Sequence, residues 1–157
     1  MKAKQFLLGV AVVAGFGLAA LSASAAPSAK FIGTWNLDLS GMPASPPPPK
    51  SITLTTTDAG SGKWKTTIES VGADGKATKS EVTYAVDGKD YPVTGDPTMD
   101  SNSFTSPEPN TLVILEKKGG KLVDTLTTTL SADGNTQNAS TVSADGKTTA
   151  KGAWKRK

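Results

Sequence analysis

One phrase recurs four times along this chain: Ala73-Asp74-Gly75-Lys76, Val86-Asp87-Gly88-Lys89, Ala132-Asp133-Gly134-Asn135 and Ala144-Asp145-Gly146-Lys147. Asp-Gly between segments of alternating hydrophobicity is the strongest short-range hairpin signal. It predicts turns in which both central positions take positive φ. Calcium binding is the competing reading of such pairs. A calcium loop needs several oxygen ligands at fixed offsets, and no Asp-x-Asp-x-Asp-Gly run is present. The phrase therefore reads as punctuation between antiparallel strands.

The segments between the turns alternate with a period of two, as half-buried strands must. In 31–39, Phe31, Gly33, Trp35, Leu37 and Leu39 share one face. In 63–71, Trp64, Thr66 and Ile68 oppose Lys63, Lys65 and Glu69. In 77–86, Val82, Tyr84 and Val86 oppose Lys79, Glu81 and Thr83. In 121–131, Leu122, Leu126 and Leu130 fall on one side, with threonines on the other. The segment 148–156 sets Trp154 and Arg156 on one face. Segments 51–57, 101–105, 111–117 and 136–143 complete the set, with 90–93 as a stub. The expected fold is all-β, an antiparallel up-and-down meander of about eight to ten strands. Closing it into a barrel removes both exposed edges; an open sandwich is the alternative. The proline run Pro46–Pro49 favours polyproline II and cannot donate hydrogen bonds. The linker 41–49 around it reads as a stiff loop over one barrel mouth, with a proline-motif ligand as the second reading.

The first 25 residues stand apart. Lys2 and Lys4 precede an uncharged apolar run from Phe6 to Leu21, and Ala23-Ser24-Ala25 follows. That is the tripartite pattern of a secretory signal peptide. A membrane-spanning helix wants about 20 consecutive apolar residues, and this run is shorter and broken by glycines. The expectation is a leader over 1–25 and one domain over 26–157. The mature chain would be exported, periplasmic or extracellular, with no membrane span. No cysteine occurs anywhere, which excludes a lipidated cysteine and any disulfide. About 130 residues can bury a core without such staples.

The chain carries 17 basic and 14 acidic residues. Lys2 and Lys4 lie in the leader and no acid does, so the remainder is close to neutral. Lysines are interspersed with acids, and Lys155-Arg156-Lys157 reads as a solvated terminus. No nucleic-acid partner is expected. With neither histidine nor cysteine, serine–histidine and cysteine–histidine catalysis and histidine–metal sites are excluded. Glycoside hydrolysis by two carboxylates stays formally open, but most acids fall in turns or on polar strand faces. Lys118-Gly119-Gly120-Lys121 lacks the context of a phosphate loop and reads as a hairpin turn. The expectation is a protein that is not an enzyme, with no cofactor and no metal.

Phe31-Ile32-Gly33-Thr34-Trp35-Asn36-Leu37 resembles the Gly-x-Trp signature on the first strand of lipocalins and their calycin relatives. The stretch from Val86 to Pro97 resembles a phrase in small exported bacterial proteins with a lipocalin-like barrel, a group without an assigned function. Together these cover most of the chain after the leader. Trp154 stands where such relatives are expected to carry a tyrosine, and 98–110 diverges from them. The resemblance implies a lipocalin-like barrel and no particular activity. It also implies that an arginine after the last strand covers the tryptophan at the closed end. Arg156 is the sole arginine here, so Gly33, Trp35 and Arg156 are the expected barrel-closing residues.

Phe31, Trp64, Ile68, Tyr84, Leu112, Ile114 and Leu126 are the candidates for facing a ligand. They could equally pack on one another, because a small barrel can be filled by its own side chains. Glu116 shares a face with Leu112 and Ile114, and Asp124 with Leu122 and Leu126. One of these acids could fix a ligand's polar group. Because a buried unpaired carboxylate is costly, the favoured reading inverts strand 111–117 and leaves Glu116 in water. Three functions fit: binding of a small apolar or amphipathic molecule, an envelope inhibitor of a protease or lysozyme, and a purely structural role. Ligand binding predicts a connected cavity of a few hundred Å3. An inhibitor predicts a filled barrel with a protruding loop at 42–50 or 94–110.

Overall fold

The structure, a computed structural model, describes residues 24–42, 44, 46–147 and 149–157, the side chain of Thr149 excepted. The expected leader lies outside these residues apart from Ser24 and Ala25. Among the described residues no helix is long and apolar enough to cross a membrane.

A single 3-10 turn, Ala29–Phe31, precedes the strands, so the strand expected from residue 31 begins at Gly33. The described strands are β1 (Gly33–Leu37), β2 (Ser51–Gly60), β3 (Lys63–Val71), β4 (Ala77–Tyr84) and β5 (Asp90–Thr94), followed by β6 (Ser101–Glu108), β7 (Thr111–Lys118), β8 (Lys121–Leu130), β9 (Thr136–Ser143) and β10 (Thr149–Arg156). Each pairs antiparallel with its chain neighbours, and β1 pairs with β10. The sheet is a closed barrel, not an open sandwich. The stub at 90–93 is a full member, β5. The suspected loop 94–110 is mostly β6, leaving only the connection around Gly95–Asp100.

The repeated turns differ from expectation in one respect. Gly75, Gly88, Gly134 and Gly146 all have positive φ, but the aspartates before them do not. In three turns the glycine amide donates three residues back, to the carbonyls of Gly72, Ser131 and Ser143. The Gly88 amide instead reaches the Phe104 carbonyl on β6. Each aspartate Oδ1 accepts the amide two residues on, at Lys76, Lys89, Asn135 and Lys147. The aspartate thus works as a side-chain acceptor and only the glycine takes the left-handed conformation.

One end of the barrel is sealed. Trp35 is fully buried and packs with Phe31, Leu112 and Leu130. Its indole N–H donates to the Phe31 carbonyl (3.2 Å). Trp35 stands opposite Arg156 in the β1–β10 register, and the guanidinium carbon lies 4.1 Å from the indole centroid. That guanidinium also donates to the carbonyls of Gly134 (3.1 Å), Ile32 (3.2 Å) and Lys30. Gly33 has φ 145°, and a Cβ there would collide with the guanidinium. Arg156→Gln removes the cation–π contact, worth about 0.5–2 kcal/mol, and the charge-assisted bonds to three carbonyls. A loss of about 2–3 kcal/mol is expected in urea unfolding; a loss below about 0.5 kcal/mol would show that the latch is ornamental.

Candidate functional site

Above the sealed end, the interior holds a hollow of about 100 Å3. Its apolar wall includes Phe31, Leu54, Val82, Leu112, Leu126 and Trp154. A smaller hollow of about 50 Å3 adjoins it toward the opposite mouth, and the two share Thr66, Ile68, Val82, Asn102 and Glu116. Ile68 is 36% exposed, so this region communicates with solvent. The volume falls short of the few hundred Å3 expected for a ligand-binding barrel. Tyr84 and Phe104, which both line the main hollow, stack at 3.5 Å between centroids and occupy part of the interior.

Six of the seven expected ligand-facing residues line the main hollow: Phe31, Ile68, Tyr84, Leu112, Ile114 and Leu126. Trp64 does not. It packs between Phe31 and Tyr84, with centroids 6.4 and 6.3 Å away. Alternation places a residue on the inner face but does not say how far along the barrel axis it lies.

Thr66 and Tyr84 were expected on the inner face, and Thr56, Asn102, Thr128 and Gln137 join them as polar lining residues that the sequence reading did not single out. The hydroxyls of Thr56 and Thr66 share a hydrogen bond (3.0 Å), as do those of Thr66 and Tyr84 (3.2 Å). Burial raises the Tyr84 phenol to about 12, so it keeps its proton. Thr128 donates to Gln137 Oε1 (3.3 Å) on the far wall. Asn102 is only 7% exposed, and its Oδ1 is buried without a hydrogen-bond partner.

Glu116 corrects the sequence reading. Leu112, Ile114 and Glu116 all line the hollow, so strand β7 is not inverted and the carboxyl faces inward. It stands opposite Asn102 on β6 and Asp124 on β8. A bulge follows, because Lys117 pairs with Leu122 and Val123 is left over. Leu122, expected inside, is 41% exposed at this rim. Desolvation first, then the charges of Asp124 and Asp96, raise Glu116 from 4.5 to about 7.

The sign of the linkage follows. Between about pH 4.5 and 7 the unfolded chain releases the Glu116 proton while the folded one retains it. Folded stability attributable to this group therefore declines as pH rises through that window and levels off above about 7. Glu116→Gln should abolish that decline and stabilise the barrel at pH 8 by on the order of 1–3 kcal/mol, reduced by solvent screening at the mouth. Parallel urea titrations of both proteins at pH 5 and pH 8 check this. Equal pH dependence in the two would place the carboxyl in water.

No protein-family model matches this chain, and no curated protein matches it. Solved structures do. The chain aligns with the crystal structure of one mutant of the fluorescent protein UnaG at a TM-score of 0.55 and 17% identity, covering 81% of this chain and 96% of that one. A second UnaG mutant aligns at 0.56 and 17%, covering 82% and 96%. Fatty-acid-binding protein 1 of Echinococcus granulosus aligns at 0.55 and 16%, covering 81% and 97%. This is a lipocalin-like barrel. At such identities the likeness is one of fold, extending over nearly the whole length of each neighbour.

Proposed function

We propose that this protein is exported and binds a small apolar or amphipathic molecule inside its barrel, without catalysing a reaction on it. The observation that carries the reading is the hollow itself: a largely apolar interior space with a few placed polar groups, the usual make-up of small-molecule sites. A neighbour of the same fold is named as a fatty-acid-binding protein, which supports use of the interior. The space argues for a compact occupant. A ligand of drug size wants about 300–1,000 Å3, whereas benzene enters a cavity of about 150 Å3.

The second reading, an envelope protein-binding module, draws on the same small volume and on the exposed loop between β1 and β2, where Met42 is 39% exposed. Native mass spectrometry of the protein purified gently from its own host separates the two. A co-purifying small mass is expected, absent from an Ile114→Trp variant that fills the hollow. A clean apo mass for the wild type would count against the binding reading.

A further inference from the structure

Resting on that reading, we infer that the hollow selects a compact molecule whose polar end donates hydrogen bonds, a primary amine foremost, and disfavours a carboxylate. The inference starts from register. Asn102, Glu116 and Asp124 stand side by side on β6, β7 and β8. Two are carboxyls, and the third has a buried acceptor oxygen with no partner. An unpartnered buried acceptor is costly, and a donor on a ligand would relieve that cost. Asp96, in the connection between β5 and β6, adds a third acid and lines the smaller hollow with Glu116 and Asn102.

Asp96 Oδ1 accepts from the Thr98 amide (2.7 Å) and hydroxyl (2.6 Å) and the Met99 amide (3.3 Å), but no cation offsets these charges. No lysine or arginine lines either hollow. Lys117, next in sequence to Glu116, pairs with Asp90 at 2.5 Å. Glu81, at the edge of the smaller hollow, is held by Lys65 (3.1 Å) and Lys79 (3.0 Å), so those lysines are committed as well. Arg156 is engaged at the sealed end by three carbonyls. A carboxylate entering from the mouth would meet like charge at Glu116, Asp124 and Asp96. Tyr84 and Thr66 could offer it hydroxyls, but no cation. Among the described residues no group of three acids stands close enough to hold a metal ion. A cation accepted here would therefore be organic, with its apolar part against Ile114, Leu126 and Phe104.

The test compares hexylamine, 1-hexanol and hexanoate, which share a chain and differ in head group, by NMR titration at pH 8. Hexylamine is expected to bind at least about tenfold more tightly than hexanoate, with shifts at Asn102 and Ile114. Glu116→Gln should cut the preference for amine over alcohol several-fold. Lowering the pH to 5, which protonates Glu116, should do the same in the wild type, so the test stands even if the variant fails to fold. Hexanoate binding as well as hexylamine overturns this inference and leaves the ligand-binding reading in place. An amine preference indifferent to both Glu116→Gln and pH also overturns it. If none of the three ligands moves a lining resonance, both fall.

Discussion

Truncating Trp35 to alanine is expected to cost about 3–5 kcal/mol and to lower the melting temperature by more than about 10 °C. The indole is fully buried and carries three duties at once. It fills the core against Phe31, Leu112 and Leu130. Its N–H satisfies the Phe31 carbonyl, and its face supports the Arg156 guanidinium. Alanine leaves a large void and a cation with nothing beneath it. The neighbours cannot collapse into that void, because the strand spacing of a closed sheet is fixed by its hydrogen bonds. Trp35→Phe should lose less, about 1–2 kcal/mol, since it keeps a ring and forfeits the bond and some volume. Calorimetry on both variants checks the ordering. A Trp35→Ala protein within about 1 kcal/mol of wild type would mean that the sealed end does not hold the barrel together.

Gly95→Ala is the second large effect, at about 2–5 kcal/mol. Gly95 has φ 81°, a conformation that costs an L-residue about 1–2 kcal/mol. A Cβ there would also run into the backbone carbonyl of Lys79, which has no freedom to move away because β4 is paired on both sides. Overpacking of this kind adds about 1–3 kcal/mol. Gly62 supplies the control. Its φ is 71°, yet a Cβ there meets nothing within 4 Å. Gly62→Ala should therefore carry the conformational cost alone. If urea midpoints shift equally for the two variants, the approach of Gly95 to β4 contributes nothing.

The contrast between what could and could not be read in advance follows from how each feature is encoded. Trp35 and Arg156 were legible through the resemblance, since the Gly-x-Trp opening implies an arginine after the last strand and Arg156 is the sole arginine. The closed meander was legible because alternation and Asp-Gly turns recur along its length. Asn102, Thr56, Thr128 and Gln137 were not, because period-two patterns are detected through apolar residues and these inner positions are polar. The Ser101–Glu108 strand, with Phe104 as its one aromatic, shows almost no alternation in its letters. Glu116 had the right parity but was set aside on the cost of burying a carboxylate. The structure lowers that cost by placing it near a mouth, where it can keep its proton up to about pH 7. The leftover Val123, which turns Leu122 outward, leaves no mark in the sequence at all.

The pairing of β1 with β10 bears on the order of events during synthesis. Arg156 bonds Ile32 across 124 positions, so the ring cannot close until β10 has emerged from the ribosome. Non-local closure of this kind slows folding through loop entropy. A nascent or C-terminally clipped chain would expose the unpaired backbones of β1 and β9, inviting intermolecular addition of strands.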